Sequence, residues 1–156
     1  MKAAFATIIL FITALAPDIS FGANLLLDVN TTVNEARKLC QQIGGEFSFD
    51  AKYLEKLDLN GDHRADYILS TQGFACSTAQ SLYSGADGFL FRIFISGPEH
   101  YKASVIASSY QLYHSTTPPQ LILTSRCKDD PLKMSDRTWQ WDGQKMAAKS
   151  ESAACY

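Results

Sequence analysis

Phe89-Leu90-Phe91-Arg92-Ile93-Phe94-Ile95-Ser96 is the run whose reading decides the fold class. Successive side chains of a strand point to opposite faces. Phe89, Phe91, Ile93 and Ile95 therefore share one face, and Leu90, Arg92 and Phe94 share the other. Apolar residues on both faces predict a central strand. Arg92 is the exception in this run. A guanidinium buried in such a strand needs a carboxylate or a cluster of carbonyls, so the expectation is an ion pair inside the fold.

Working outward, the chain after Gly45 reads as short strands between turn signals. Phe47 and Phe49 alternate, Tyr53 to Leu59 and Asp66 to Ser70 flank a polar loop, and Gly97-Pro98-Glu99 leads into Tyr101 to Ala107. Tyr110 to His114 follows, then Leu121 to Ser125 after Pro118-Pro119, and Asp142-Gly143 is a two-residue hairpin signal between Trp139-Gln140-Trp141 and Lys145-Met146. One helix precedes them. Thr32 and Glu35 form a capping box, Val33, Ala36, Leu39, Cys40 and Ile43 line one face, and Gly44-Gly45 ends the helix. One helix followed by runs of strands predicts an α+β domain, with the N-terminal helix packed on a mostly antiparallel β-sheet.

The polar loop is Asp58-Leu59-Asn60-Gly61-Asp62-His63-Arg64-Ala65-Asp66. It places oxygens at positions 1, 3, 5 and 9, and the carbonyl of Arg64 at position 7. A hard cation takes six to eight oxygens at about 2.3 to 2.6 Å, so Asp58, Asn60, Asp62, Arg64 and Asp66 are candidate ligands of a structural Ca²⁺. The rival reading is turn chemistry with no ion. With Tyr67-Ile68-Leu69 behind it, the loop resembles the hairpin calcium loop of FG-GAP repeats, found in integrin-type propellers. That resemblance covers Leu57 to Leu69 and implies a calcium brace. One departure is His63, where such loops carry glycine at positive φ. A propeller is excluded by length, since at least four blades of about 40 to 45 residues are needed and the chain carries one copy of the motif. The wider layout is similar to small periplasmic proteins of Gram-negative bacteria, which implies a compartment and little chemistry.

The N-terminus points to the same compartment. Lys2 is followed by an uncharged run from Ala3 to Ala16, ended by Pro17 and Asp18. The run is shorter than the roughly 20 residues of a spanning helix and fits a secretory signal peptide cleaved after Gly22. The expected mature protein is a single domain over residues 23–156, without a membrane anchor, in the periplasm or secreted. In that compartment Cys40, Cys76, Cys127 and Cys155 are expected to form two disulfides. Four cysteines allow three connectivities; Cys40 with Cys76 and Cys127 with Cys155 is favoured, each worth about 3 to 4 kcal/mol in the chain-entropy model. No cysteine pair has the spacing of a zinc knuckle or redox motif. A net charge of -2 with scattered lysines gives no electrostatic footprint for nucleic acid.

Catalytic signatures are missing from the sequence: there is no Gly-x-Ser-x-Gly elbow, no His-Glu-x-x-His and no phosphate-cradling glycine loop. The functional expectation is a binding protein whose partner is another envelope or secreted protein, such as an inhibitor or immunity protein facing a cell-wall hydrolase. Its candidate contact loop is Ser77 to Gly88, with Leu82 and Tyr83 as anchors; the alternative packs both onto the sheet. The rival class is an envelope glycan hydrolase or carbohydrate-binding module. It would draw carboxylates from Glu46, Asp50 or Glu99 and stack sugar on Trp139 and Trp141. His63, His100 and His114 sit in or beside turns and read as solvated.

Overall fold

The computed structural model describes residues 21–97, 101–151 and 155–156. The leader expected over residues 1–22 lies outside them up to residue 20. The helix α1 spans Phe21–Gln42, beginning well before Thr32. The capping-box expectation is therefore corrected: Thr32 lies inside the helix and donates its hydroxyl to the Asp28 carbonyl at 3.1 Å, a back-bond that serves a threonine in mid-helix. The apolar stripe extends back to Val29, 6% exposed, and its burial favours continuing the helix upstream.

The helix ends as expected. Gly44 takes φ +74°, its N–H donates to the Gln41 carbonyl, and the Gly45 N–H donates to the Cys40 carbonyl, each at 3.0 Å. This is a Schellman closure. Val29, Val33, Ala36 and Cys40 are buried within an arc of about 60° at 100° per residue. Leu39 and Ile43, expected on that face, are 44% and 46% exposed. The Cys40 side chain is fully buried in a bridge to Cys76, which sets the helix rotation and turns Leu39 and Ile43 onto its flank.

Eleven strands follow: β1 (Phe47–Phe49), β2 (Leu54–Leu57), β3 (Asp66–Ser70), β4 (Phe74–Cys76), β5 (Ser84–Gly85), β6 (Gly88–Ile95), β7 (Lys102–Ser109), β8 (Gln111–Thr116), β9 (Pro119–Arg126), β10 (Met134–Trp141) and β11 (Met146–Glu151). All pair antiparallel, but in three sheets rather than one. β1 and β4 form a small ribbon. β6 is central in the second sheet, between β3 (Leu69 opposite Arg92) and β7 (Arg92 opposite Ile106). The third sheet runs β11-β10-β9-β8. The break between the last two falls at Ser109-Tyr110. Ser109 is fully buried, its hydroxyl reaches the Gln111 and Thr124 carbonyls at 2.6 and 2.7 Å, and the Tyr110 N–H donates to Thr124. The chain is thereby handed from β7 to the side of β9.

The alternation read in β6 separates two cores. Phe91, Ile93 and Ile95 pack with Ile68, Leu121, Leu123 and Met146, between the second and third sheets. Phe94 packs on the other face with Leu69, Phe74 and the helix residues Val29, Val33 and Ala36. The expected hairpin is also adjusted. Trp141 pairs with Met146, so the connection is Asp142 to Lys145, closed by the Asp142 carboxylate accepting the Gln144 and Lys145 N–H groups at 2.8 and 2.9 Å.

Both disulfides are present, Cys40–Cys76 and Cys127–Cys155, with Cα separations of 5.6 and 6.1 Å. The first ties the helix to β4, and Gly45 passes so close that a Cβ there would lie 2.5 Å from the Cys76 sulfur. No helix among the described residues is long and apolar enough to cross a membrane, and the two bridges are compatible with export.

Candidate functional site

β2 and β3 hold the ends of the polar loop in register, Leu57 opposite Asp66. Within it the oxygens turn toward the loop's own backbone. Asp58 accepts the Gly61 and His63 N–H groups at 2.7 and 3.0 Å, Asn60 accepts from Asp62 at 3.0 Å, and Asp62 accepts from Arg64 at 2.8 Å. Gly61 has φ +76° and His63 φ +62°. The loop thus takes a left-handed residue at position 6, where histidine is tolerated.

Asp66 behaves differently from its neighbours. It is fully buried, and its two oxygens accept the Leu59 and Ser96 N–H groups at 2.6 and 2.7 Å. This carboxylate clamps the loop to the end of β6. Burial is the dominant influence on it and raises its pKa above the ordinary aspartate value, against those two amide donors, with the nearby Asp62 charge adding to the rise. For Asp62, burial again opposes ionisation, but the Arg64 amide, the Asn60 amide, the Ser96 hydroxyl and the Arg64 charge together outweigh it and hold the carboxyl below its ordinary value.

Ser96 is a loop partner that sequence reasoning missed. Its hydroxyl donates to Asp62 at 3.1 Å, and its carbonyl accepts from Asn60 at 3.4 Å. Spacing alone does not reveal it, because it lies thirty residues beyond Asp66. Arg64, named for its carbonyl, sends its side chain to the Gly97 carbonyl at 3.0 Å. Among the described residues no group of three or more His, Cys, Asp or Glu is gathered as a metal cluster. The donor set suits a hard cation in part: Asp58, Asn60 and Asp62 are oxygen donors on one loop, with both oxygens of Asp58, like both of Asp66, also engaged by backbone amides.

The contact loop expected at Ser77 to Gly88 runs beside the helix. Its start is fixed by the Cys40–Cys76 bridge and by a reciprocal pair, Ser77 N–H to the Glu46 carbonyl at 3.0 Å and Glu46 N–H to the Ser77 hydroxyl at 2.9 Å. Tyr83 is an anchor of the fold and not a loop tip. Its ring meets Phe47 and Phe74 edge-on at 5.8 and 5.5 Å, and its hydroxyl donates to the Ala36 carbonyl at 2.6 Å. The helix carbonyl is a fixed acceptor, and the aromatic cluster offers more burial than a displayed position would. Leu82 is half-buried.

The exposed apolar side chains lie elsewhere. Leu39 and Ile43 fall with Thr32 within an arc of about 40° on the helix flank. Thr32 in turn accepts from Arg92 of β6 at 3.2 Å. Ile106, opposite Arg92 and 58% exposed, shares that face because paired residues of adjacent strands point the same way. Arg92 enters no ion pair among the described residues, which corrects the internal ion pair expected from the sequence; the Thr32 hydroxyl stands in its place.

Of the carboxylates considered for glycan hydrolysis, Asp50 pairs with Lys52 at 2.8 Å and caps a short turn, and Glu99 lies outside the described residues. His114 faces Glu55 at 3.3 Å, and His63 faces Asp58 at 3.7 Å; His100 lies outside the described residues. Trp139 and Trp141 pack against the inter-sheet core. Trp139 also lines a cleft of about 720 Å³ between β7, β9 and β10, together with Lys128, Arg137 and the Cys127–Cys155 bridge, and its buried indole N–H has no partner. Comparison with known protein families, curated proteins and solved structures returned no match.

Proposed function

We propose that this is an exported protein, braced by two disulfides and by calcium at the Asp58–Asp66 loop, that works by binding another envelope or secreted protein, as an inhibitor or immunity protein of a cell-wall hydrolase does. The observation that carries the binding reading is the helix flank of Leu39 and Ile43, both exposed. Two large apolar side chains exposed about one turn apart on a helix held by the Cys40–Cys76 disulfide mark a contact surface better than scattered ones do. The calcium reading is supported by the inward turn of Asp58, Asn60 and Asp62 and by the left-handed His63. Those three and the Arg64 carbonyl would hold the ion, with Asp66 steadying the backbone behind them.

The test replaces Leu39 and Ile43 together by serine. Stability should fall by less than about 1 kcal/mol, as for surface substitutions, while a stoichiometric partner captured by the native protein from envelope extract is lost. Retention of that partner by the double variant would refute the assignment. The second reading, a carbohydrate-binding cleft, is favoured by the unpartnered Trp139 indole. Its check is whether muropeptides change tryptophan fluorescence in the native protein and no longer do so in Arg137→Ala.

A further inference from the structure

The two bridges stand in different surroundings. Cys40 is fully buried and Cys76 is 3% exposed, and a Cβ at Gly45 would lie 2.5 and 2.7 Å from the Cys76 and Cys40 sulfurs. A thiol reaches that pair only if the helix end lifts from β4. Cys155, by contrast, is exposed, and its partner Cys127 is 6% exposed. Both line the cleft of about 720 Å³ between β7, β9 and β10.

That cleft carries an excess of positive charge. Arg126, Lys128 and Arg137 line it against Asp87 and Asp136, and Arg126 and Lys128 flank Cys127 in the chain. Thiol–disulfide exchange proceeds by attack of a thiolate on one sulfur while the other departs, so its rate depends on access to the first and on the stability of the second as a thiolate. Neighbouring cations stabilise a thiolate. Access therefore selects Cys155 as the sulfur attacked, and charge selects Cys127 as the sulfur that leaves.

The bridge also fastens a piece of structure. Tyr156 and Met134 exchange backbone N–H groups at 3.1 Å in each direction, and the Tyr156 hydroxyl donates to Asp136 at 3.0 Å. On its other side Met134 pairs with Arg126 of β9. Cys155–Tyr156 thus adds a short strand to the start of β10. Its ring is 65% exposed, and a segment with few buried contacts opens readily once its covalent tie is gone.

We propose that Cys127–Cys155 is a site of thiol–disulfide exchange, opened by the exposed dithiol of a partner oxidoreductase while Cys40–Cys76 stays closed, and that opening releases Cys155–Tyr156 from β10. The attacking thiolate forms a bond to the Cys155 sulfur, the S–S bond breaks, and its electron pair leaves on the Cys127 sulfur. The second thiolate of the dithiol then attacks the mixed disulfide and frees Cys155. Two electrons pass to the protein, the dithiol becomes a disulfide, and the two protons it gives up end on the two cysteines. The proposal is independent of the flank at Leu39 and Ile43.

The test exposes the native protein to dithiothreitol or to excess reduced thioredoxin, a protein dithiol, at neutral pH, quenches with an alkylating reagent at intervals and maps the label by mass spectrometry. Cys127 and Cys155 should be labelled about tenfold or more faster than Cys40 and Cys76 with either reductant, because access governs exchange. Simultaneous labelling of all four cysteines, or labelling of Cys40 and Cys76 first, overturns the proposal. Labelling by dithiothreitol without labelling by thioredoxin overturns the role of a protein dithiol. Lys128→Glu should slow the opening about threefold at low ionic strength, with the difference fading as salt is added; an unchanged rate overturns the part given to the cations. In ¹H–¹⁵N spectra of the opened protein the Tyr156 amide should move to its unstructured position while the amides of β6 stay in place. A Tyr156 amide unmoved by opening overturns the release.

Discussion

Replacing Asp66 by alanine removes a fully buried carboxylate that accepts two backbone N–H groups at 2.6 and 2.7 Å. Hydrogen bonds to a charged group are worth about 1.5 to 3 kcal/mol each, so the two amount to roughly 3 to 6 kcal/mol. Part of this is returned, because deletion also relieves the desolvation that raises the Asp66 pKa. A net loss of about 3 kcal/mol follows, against a typical total stability of about 5 to 15 kcal/mol. For a domain of this size that corresponds to a melting temperature lower by about 10 °C. Urea titration at neutral pH, disulfides intact and chelator present, should show the loss in full, because the amides are orphaned whether or not calcium is there. Asp66→Asn should fall between, since one oxygen remains while an amide NH₂ faces the other donor. Asp58→Ala should cost less, because Asp58 is only partly buried and its amide donors lie in an exposed loop where water can replace the carboxylate. An Asp66→Ala variant within about 1 kcal/mol of the native protein in chelator would refute the clamp.

Millimolar calcium should raise the stability of the native protein by about 0.4 to 1.4 kcal/mol for a dissociation constant near 10⁻⁴ to 10⁻³ M, and Asp58→Ala should abolish the rise. Identical calorimetric melting curves in chelator and in calcium, for protein shown to be metal-free, would favour a loop closed by its amides alone. Tyr83→Phe should cost about 1 kcal/mol through the lost bond to Ala36 and Tyr83→Ser about 3 kcal/mol or more through the emptied aromatic cluster, both read as urea midpoints. A near-unchanged Tyr83→Ser midpoint would return Tyr83 to the surface. Asp142 has its pKa lowered by the Lys145 and Gln144 amides, burial opposing and the Lys145 and Lys149 charges assisting. A depressed folded-state pKa contributes stability above the unfolded value that is lost as pH falls through the folded one. The advantage of the native protein over Asp142→Asn should therefore be complete at neutral pH and fade as pH falls below the ordinary aspartate value of about 3.9.

Much of the second sheet was legible in the chain because β6 alternates strictly: residues read on opposite faces did enter different cores. The loop ends, Gly44 and the positive φ at His63 were legible for a related reason. Each depends on neighbours within a few residues, where turn and cap chemistry acts. The helix start failed for the converse reason. Thr32 and Glu35 satisfy a local pattern, but burial of Val29 against the sheet outweighs a cap worth about 1 kcal/mol.

By itself, the sequence determined the α+β class, the strand alternation, the oxygen-rich loop and the even set of cysteines, all of which are short-range or compositional properties. The tertiary structure decided which cysteines pair, that the strands divide into three sheets, that Asp66 is a buried clamp tied to Ser96, and that Tyr83 packs inward. It also decided that Leu39 and Ile43 face outward and that Arg92 lacks an ion pair among the described residues. The physical reason is common to them all. A side chain's role in each case is set by the partner that reaches it across the fold, and for Asp66, Tyr83 and Arg92 that partner lies 30, 47 and 60 residues away, where no periodicity or spacing carries the information.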